Sequence, residues 1–118
     1  MSRKISDDAA TAFLNRKKFK RDNTEVIHDD VETTMWLYGN CIASLSTQLV
    51  ICGQANKTDG VSRTTKCRLN SLLDAFSGKA SVHHKDKKFI LSTKEDREID
   101  GNEWINISEI LDMEEADA

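Results

Sequence analysis

The sequence has no proline and only five glycines, Gly39, Gly53, Gly60, Gly78 and Gly101. They lie too far apart to form GxGxxG or GxxxxGK[ST], so a glycine-rich phosphate cradle is excluded, and they serve instead as punctuation between segments. Cysteine is scarce and odd in number. Cys41, Cys52 and Cys67 stand inside apolar patterns rather than in closely spaced pairs, which argues against a disulfide framework and for buried structural thiols. No apolar stretch approaches the length of a membrane span, and the N-terminal MSRKISDD has no apolar h-region. The expectation is a soluble, intracellular protein with no membrane partner. Its formal net charge of −3 also excludes a chain that coats nucleic acid through its overall field.

What is present suffices for one ordinary domain, since 118 residues, 38% of them hydrophobic, supply a single core. Ser6 is placed to cap a helix over about Asp7 to Lys18. Ala9, Ala10, Phe13 and Leu14 would form its apolar stripe, and Arg16, Lys17, Lys18 and Lys20 would crowd its C-terminal end. From Asn23 the period shortens to two. TEVIH, TTMWLY, CIASL and TQLVIC read as a β-meander, with Gly39-Asn40 as a type II′ hairpin turn. Alternation puts Met35 and Leu37 on one face and Trp36 and Tyr38 on the other; both faces are apolar, so the pattern leaves open which is buried.

After the polar connection from Gly53 to Arg63, Thr64 or Thr65 can cap a helix whose Leu69, Leu72, Leu73 and Phe76 share a buried face and which stops at Ser77-Gly78. ASVHH and KFILS flank the turn KDK, and Asp100-Gly101 leads into EWINI, for two or three further strands. The acidic end EILDMEEADA is a short helix or a frayed tail. The organisation expected is one α+β domain over residues 1–108 with an acidic tail over 109–118. In it an N-terminal helix flanks an antiparallel meander, one amphipathic helix packs on the sheet, and a C-terminal β-hairpin follows.

The chemical inventory points away from catalysis. His83 and His84 are neighbours on a strand and face opposite ways, and no combination with His28 and the cysteines has the spacing of a zinc site, so no metal and no cofactor is expected. Glu95, Asp96, Glu98 and Asp100 fall in a polar segment where solvation explains them. Charge is distributed unevenly: seven basic residues stand against two acidic ones up to Arg21, and ten acidic residues against the single Arg97 from Glu95 onward. In RKKFKR, Arg16, Lys17, Lys18, Lys20 and Arg21 surround Phe19, so cations for phosphates and a ring for a base occur together. The structural alternative has Phe19 in the core and the cations complementing a helix dipole. The stretch TTKCRLN divides similarly. Thr64, Lys66 and Arg68 could face an anionic partner from a helix N-terminal turn, or Thr64 caps, Arg68 ties to an acidic neighbour and Asn70 holds the adjoining loop.

Four segments, NTEV, TTMWLYGNCIA, TTKCRLNSLL and DGNEWINI, resemble in order and spacing a group of small bacteriophage-encoded proteins of unassigned function. The matching positions are Asn23, Thr24 and Val26; Leu37, Gly39, Asn40, Ile42 and Ala43; Thr64, Thr65, Lys66, Arg68, Leu69 and Asn70; and Gly101 and Trp104. The resemblance implies a phage origin and a compact α+β fold, and it carries no assigned activity. It departs near Gly53, where the group has a second aromatic. The function expected is that of a non-enzymatic phage accessory protein in the host cytoplasm. It would bind a host or phage protein through Trp36, Tyr38, Arg63, Lys66 and Arg68. The alternative is a nucleic-acid-binding module that uses Arg16, Lys17, Lys18, Lys20 and Arg21 with the TTKCRLN helix.

Overall fold

A computed structural model describes residues 2–54, 61–85 and 88–116. The first helix, α1 (Ser2–Leu14), begins and ends earlier than its charge pattern suggests. Ser6 lies inside it, fully buried, and does not cap it. The helix closes in a Schellman motif: the Lys17 amide donates to Ala12 O at 2.8 Å and the Arg16 amide to Phe13 O at 3.2 Å, with Arg16 left-handed at φ 57°. RKKFKR is therefore not the last turn of a helix. The chain leaves through Lys17 and Lys18 into a short strand, β1 (Phe19–Arg21), where Phe19 reaches the core and Lys20 and Arg21 stay exposed.

The meander forms as expected. Strands β2 (Thr24–His28), β3 (Thr33–Leu37), β4 (Asn40–Leu45) and β5 (Leu49–Ile51) follow β1 in order, each antiparallel to the last. The hairpin turn is Tyr38-Gly39, one residue earlier than Gly39-Asn40. Both residues have positive φ, 51° and 79°, the signature of type I′ rather than II′, and Leu37 pairs with Asn40. A bulge sets Met35 opposite Ala43 and Trp36 opposite Cys41, so Ile42 is the extra residue and the consecutive Ile42 and Ala43 are both buried. Met35 and Leu37 face the core. Trp36 is half-buried on the opposite side, and Tyr38 is 69% exposed.

Helix α2 (Arg63–Phe76) packs on α1 and buries Leu69, Leu72 and Leu73 completely. Its cap is Ser62, not Thr64 or Thr65: Ser62 Oγ accepts the Thr65 amide at 3.1 Å and shares a hydroxyl–hydroxyl bond of 2.8 Å with Thr65 Oγ1. Beyond the left-handed Gly78 lies a second antiparallel sheet, β6 (Ser81–Lys85), β7 (Lys88–Ser92) and β8 (Asp96–Glu98), in that order. The acidic segment at Asp96 is thus an edge strand and not a loop; the middle of the KDK turn lies outside the described residues. Asn70 joins the two halves. Its amide donates to Val82 O at 2.9 Å and its carbonyl accepts the Val82 amide at 2.7 Å, so it makes the side-chain hydrogen bonds expected of it, but to strand β6 rather than to a loop.

EWINI yields only β9 (Ile105–Asn106), which pairs with β5 and completes the first sheet. Asn106 then caps α3 (Ile107–Ala116), its Oδ1 accepting the Glu109 amide at 2.8 Å. Of the two alternatives for the acidic end, the helix forms. Ile107 and Leu111 anchor it in the core, and Glu114 accepts from Thr93 Oγ1 and, at 3.0 Å, from Arg97. The result is an α+β fold in which one cluster of buried side chains joins all three helices and both sheets.

Candidate partner-binding surface

Antiparallel pairing places a specific set of side chains on the outer face of the first sheet, away from the two helices. Lys20 stands opposite Glu25, Glu25 opposite Trp36, and Ile27 opposite Thr34. Alternation along TEVIH sends Thr24 and Val26 inward, where both are buried, and leaves Ile27 41% exposed outside. The Trp36 ring is held by a hydrogen bond from its Nε1 to Thr34 Oγ1 at 2.9 Å. Tyr38 comes alongside because the type I′ turn throws it out of the strand. A hollow of about 440 Å³ results, its walls including Lys20, Glu25, Ile27, Trp36 and Tyr38. A second, of about 450 Å³, continues from Lys20, Glu25 and Ile27 to Lys18.

The surface therefore unites residues that the sequence offered to two rival functions. Trp36 and Tyr38 share a hollow with Lys20, and Lys18 lies next to it. The cations differ in state. Arg21 is engaged, with Nη1 at 2.9 Å from Asp8 and its guanidinium 5.3 Å from the Phe19 ring centroid. Among the described residues Arg16, Lys17, Lys18 and Lys20 are exposed and form no ion pair. Sequence reasoning missed Ile27 and Glu25; the signal was the alternation in TEVIH.

The TTKCRLN residues do not join this surface. Arg68 is 2% exposed and faces inward: Nε donates to Thr24 Oγ1 at 2.8 Å, Nη1 to Ser6 Oγ at 2.6 Å and Nη2 to Asn23 Oδ1 at 3.2 Å. It is no surface contact, and its described partners are neutral oxygens rather than an acidic neighbour. Lys66 donates to His84 Nδ1 at 2.9 Å. Burial, that ammonium and His83 hold His84 below the usual imidazole range, so it accepts the bond as a neutral ring. Arg63 alone of the three basic residues is exposed, in the first turn of α2.

The remaining chemistry is sparse. All three cysteines are free; Cys52 is buried, while Cys41 and Cys67 are half-buried and so less enclosed than expected. Burial pushes the Cys41 thiol up, which keeps it protonated. Cys67 borders a cleft of about 660 Å³ with Asp7, Asn70, Ser71 and Asp74, but its Sγ is 3.2 Å from Ser6 Oγ and no histidine lines the cleft to act as a base. Among the described residues no group of three or more histidine, cysteine or carboxylate side chains could hold a metal, and no helix is long and apolar enough to cross a membrane.

Compared with known proteins, residues 2–113 match the family model described as Kyanoviridae Gp96 protein. No curated protein and no solved structure matches. The match spans nearly the whole chain, so the protein belongs to the Kyanoviridae Gp96 family, a family of phage proteins.

Proposed function

We propose that this member of the Kyanoviridae Gp96 family is a non-enzymatic accessory protein that works in the host cytoplasm by binding a host or phage protein through the outer face of its first sheet. The observation that carries this is the grouping of Ile27, Trp36 and Tyr38 around one hollow, with Lys20 and Glu25 at its rim. Of the exposed large apolar side chains, Ile27 and Tyr38 lie in this hollow and Val31 in the β2–β3 turn nearby. An aromatic centre with a mixed-charge rim is the composition of a protein interface.

A nucleic-acid partner is the second reading, favoured by Lys18 and Lys20, which form no ion pair among the described residues. Against it, Asp22 and Glu25 line the same hollows, and carboxylates beside a phosphate oppose binding.

The test is a photo-crosslinking amino acid in place of Tyr38, in full-length protein added to infected-host lysate with and without nuclease. A protein crosslink that survives nuclease, and that Trp36→Ala weakens by ~2 kcal/mol or more without unfolding the chain, is the expected result. Crosslinks confined to nucleic acid, or none at all, would overturn it.

A further inference from the structure

We infer that the segment this surface receives is an extended acidic peptide, which adds to the first sheet as a new strand beside β1. The inference rests on the outer-face reading above and specifies the partner's chemistry. Three observations carry it.

The first is an open edge. The Tyr38 amide donates to Asn23 O at 2.9 Å and the Asp29 amide to Glu32 O at 3.0 Å, so residues 23 and 29 direct their backbone groups at β3. Bonding alternates along an antiparallel strand, so residues 25 and 27 do the same, while Thr24 and Val26 point theirs at β1. The bonded pairs there are Phe19 with Val26 and Arg21 with Thr24, which leaves the Lys20 amide and carbonyl pointing out of the sheet. Strand β1 ends the sheet order, and among the described residues no strand meets those groups.

Charge supplies the second. Lys18 and Lys20 project from the outer side of this edge and, with Arg16 and Lys17, make no ion pair among the described residues. Lysines on an edge repel the same edge of another copy, so self-pairing is disfavoured. An incoming strand with carboxylates at alternate positions turns that repulsion into attraction. Beyond β1 its carboxylates lie next to Lys18 and Lys20, whereas Glu25, which lines the hollows, stands on β2 and so one strand further away.

The third is Phe19, half-buried on the inner side of the edge and packed against the core. An added strand with acidic residues outward would place its intervening residues beside this ring. The preferred segment thus alternates acidic and apolar side chains, with the Ile27–Trp36–Tyr38 hollow left for the body of the partner. A DNA strand offers no backbone donor for the Lys20 carbonyl.

The probe is a displayed library of random peptides, selected on full-length protein. Enriched peptides should alternate acidic and apolar residues. Their affinity should fall about tenfold or more in the double variant Lys18→Glu/Lys20→Glu. It should also fall further in Lys20→Pro, which removes the outward amide, than in Lys20→Ala, while Lys85→Glu on the other sheet has no effect. Circular dichroism confirms that each variant folds. The inference is overturned if no peptide is enriched, if the enriched peptides are not acidic, if Lys20→Pro and Lys20→Ala bind alike, or if oligothymidine binds better than any peptide. Peptides lost in Trp36→Ala but indifferent to the β1 variants would retain the outer face as the binding surface and remove the added strand. Acidic peptides that bind at β1 while the Tyr38 crosslink fails would do the reverse.

Discussion

Replacing Arg68 by alanine tests whether the most distinctive stretch of the sequence serves the fold or a partner. The guanidinium donates to Thr24, Ser6 and Asn23 and so ties α2 to α1 and to the start of β2. Hydrogen bonds from a charged donor contribute about 1.5–3 kcal/mol each, but they are not additive; Ser6 and Thr24, which lose this donor, are buried, whereas Asn23 Oδ1 still accepts from Thr24 Oγ1. A loss of ~3–5 kcal/mol is the expected cost. Arg68→Lys keeps the charge but has a single ammonium for three diverging acceptors, so it should recover only part of that loss. Urea unfolding followed by tryptophan fluorescence gives the difference from the midpoint, provided the slope is unchanged. Because single domains hold only about 5–15 kcal/mol in reserve, the assay is best run near the temperature of maximum stability. Crosslinking at position 38 should persist wherever Arg68→Ala is folded. A variant within ~1 kcal/mol of the parent that nonetheless loses its partner would refute the structural role and return Arg68 to the recognition surface.

Gly53→Ala should cost ~1–3 kcal/mol or more, because an added Cβ would lie 2.5 Å from Val61 Cγ2 and 3.1 Å from the Gly101 carbonyl oxygen; an unchanged melting temperature would contradict that packing. Acid should loosen α3. The Thr93 hydroxyl, with the Lys94 amide and Arg97, holds the Glu114 carboxyl below the usual range, so its stabilisation is present above the ordinary glutamate pKa of about 4.3 and disappears as pH falls through the lower folded value. The stability difference between parent and Glu114→Gln should therefore shrink below that pH, and a difference constant from neutrality to strong acid would contradict it.

The fold was legible where local signals and tertiary packing agree. The period of two from Thr24, the Leu69–Leu72–Leu73 face and the stop at Gly78 each became the element expected. Misreadings came where two residues could do one job. Ser62, Thr64 and Thr65 all have a hydroxyl that could cap α2, and residue type alone does not choose between them; it is Ser62 whose Oγ accepts the Thr65 amide. Arginine and tyrosine took left-handed positions at Arg16 and Tyr38 that glycine or asparagine would have advertised, so the end of α1 and the register of the first hairpin each moved. A cation run following a helix resembles dipole compensation whether or not the helix continues, and the six residues of RKKFKR held no sign that Phe19 would be needed under a sheet edge.

The candidate surface was half legible, for a reason visible in where the quoted resemblance lies. Thr24, Val26, Leu37, Ile42, Ala43, Thr65, Arg68, Leu69 and Gly101 are buried, and Asn23 and Asn70 direct their side chains to interior partners; Thr64 and Lys66 are half-buried, and Gly39 and Asn40 at the hairpin turn and Trp104, 47% exposed, are the exceptions. Those segments encode the scaffold: the Arg68 tie, the Asn70 clasp and the hairpin. Lys18, Lys20 and Ile27 fall outside them, and Trp36 and Tyr38 lie inside one of them but are not among its matching positions. Burial constrains the inner residue of each pair in a β-strand by volume and hydrogen bonding, whereas its outer neighbour is constrained by whatever docks there. A likeness carried by inner residues thus transfers the fold and stays silent on the partner. If the outer face is the binding surface, the residues that distinguish one partner from another are the alternate ones, where Ile27 follows Val26 and Trp36 stands between Met35 and Leu37.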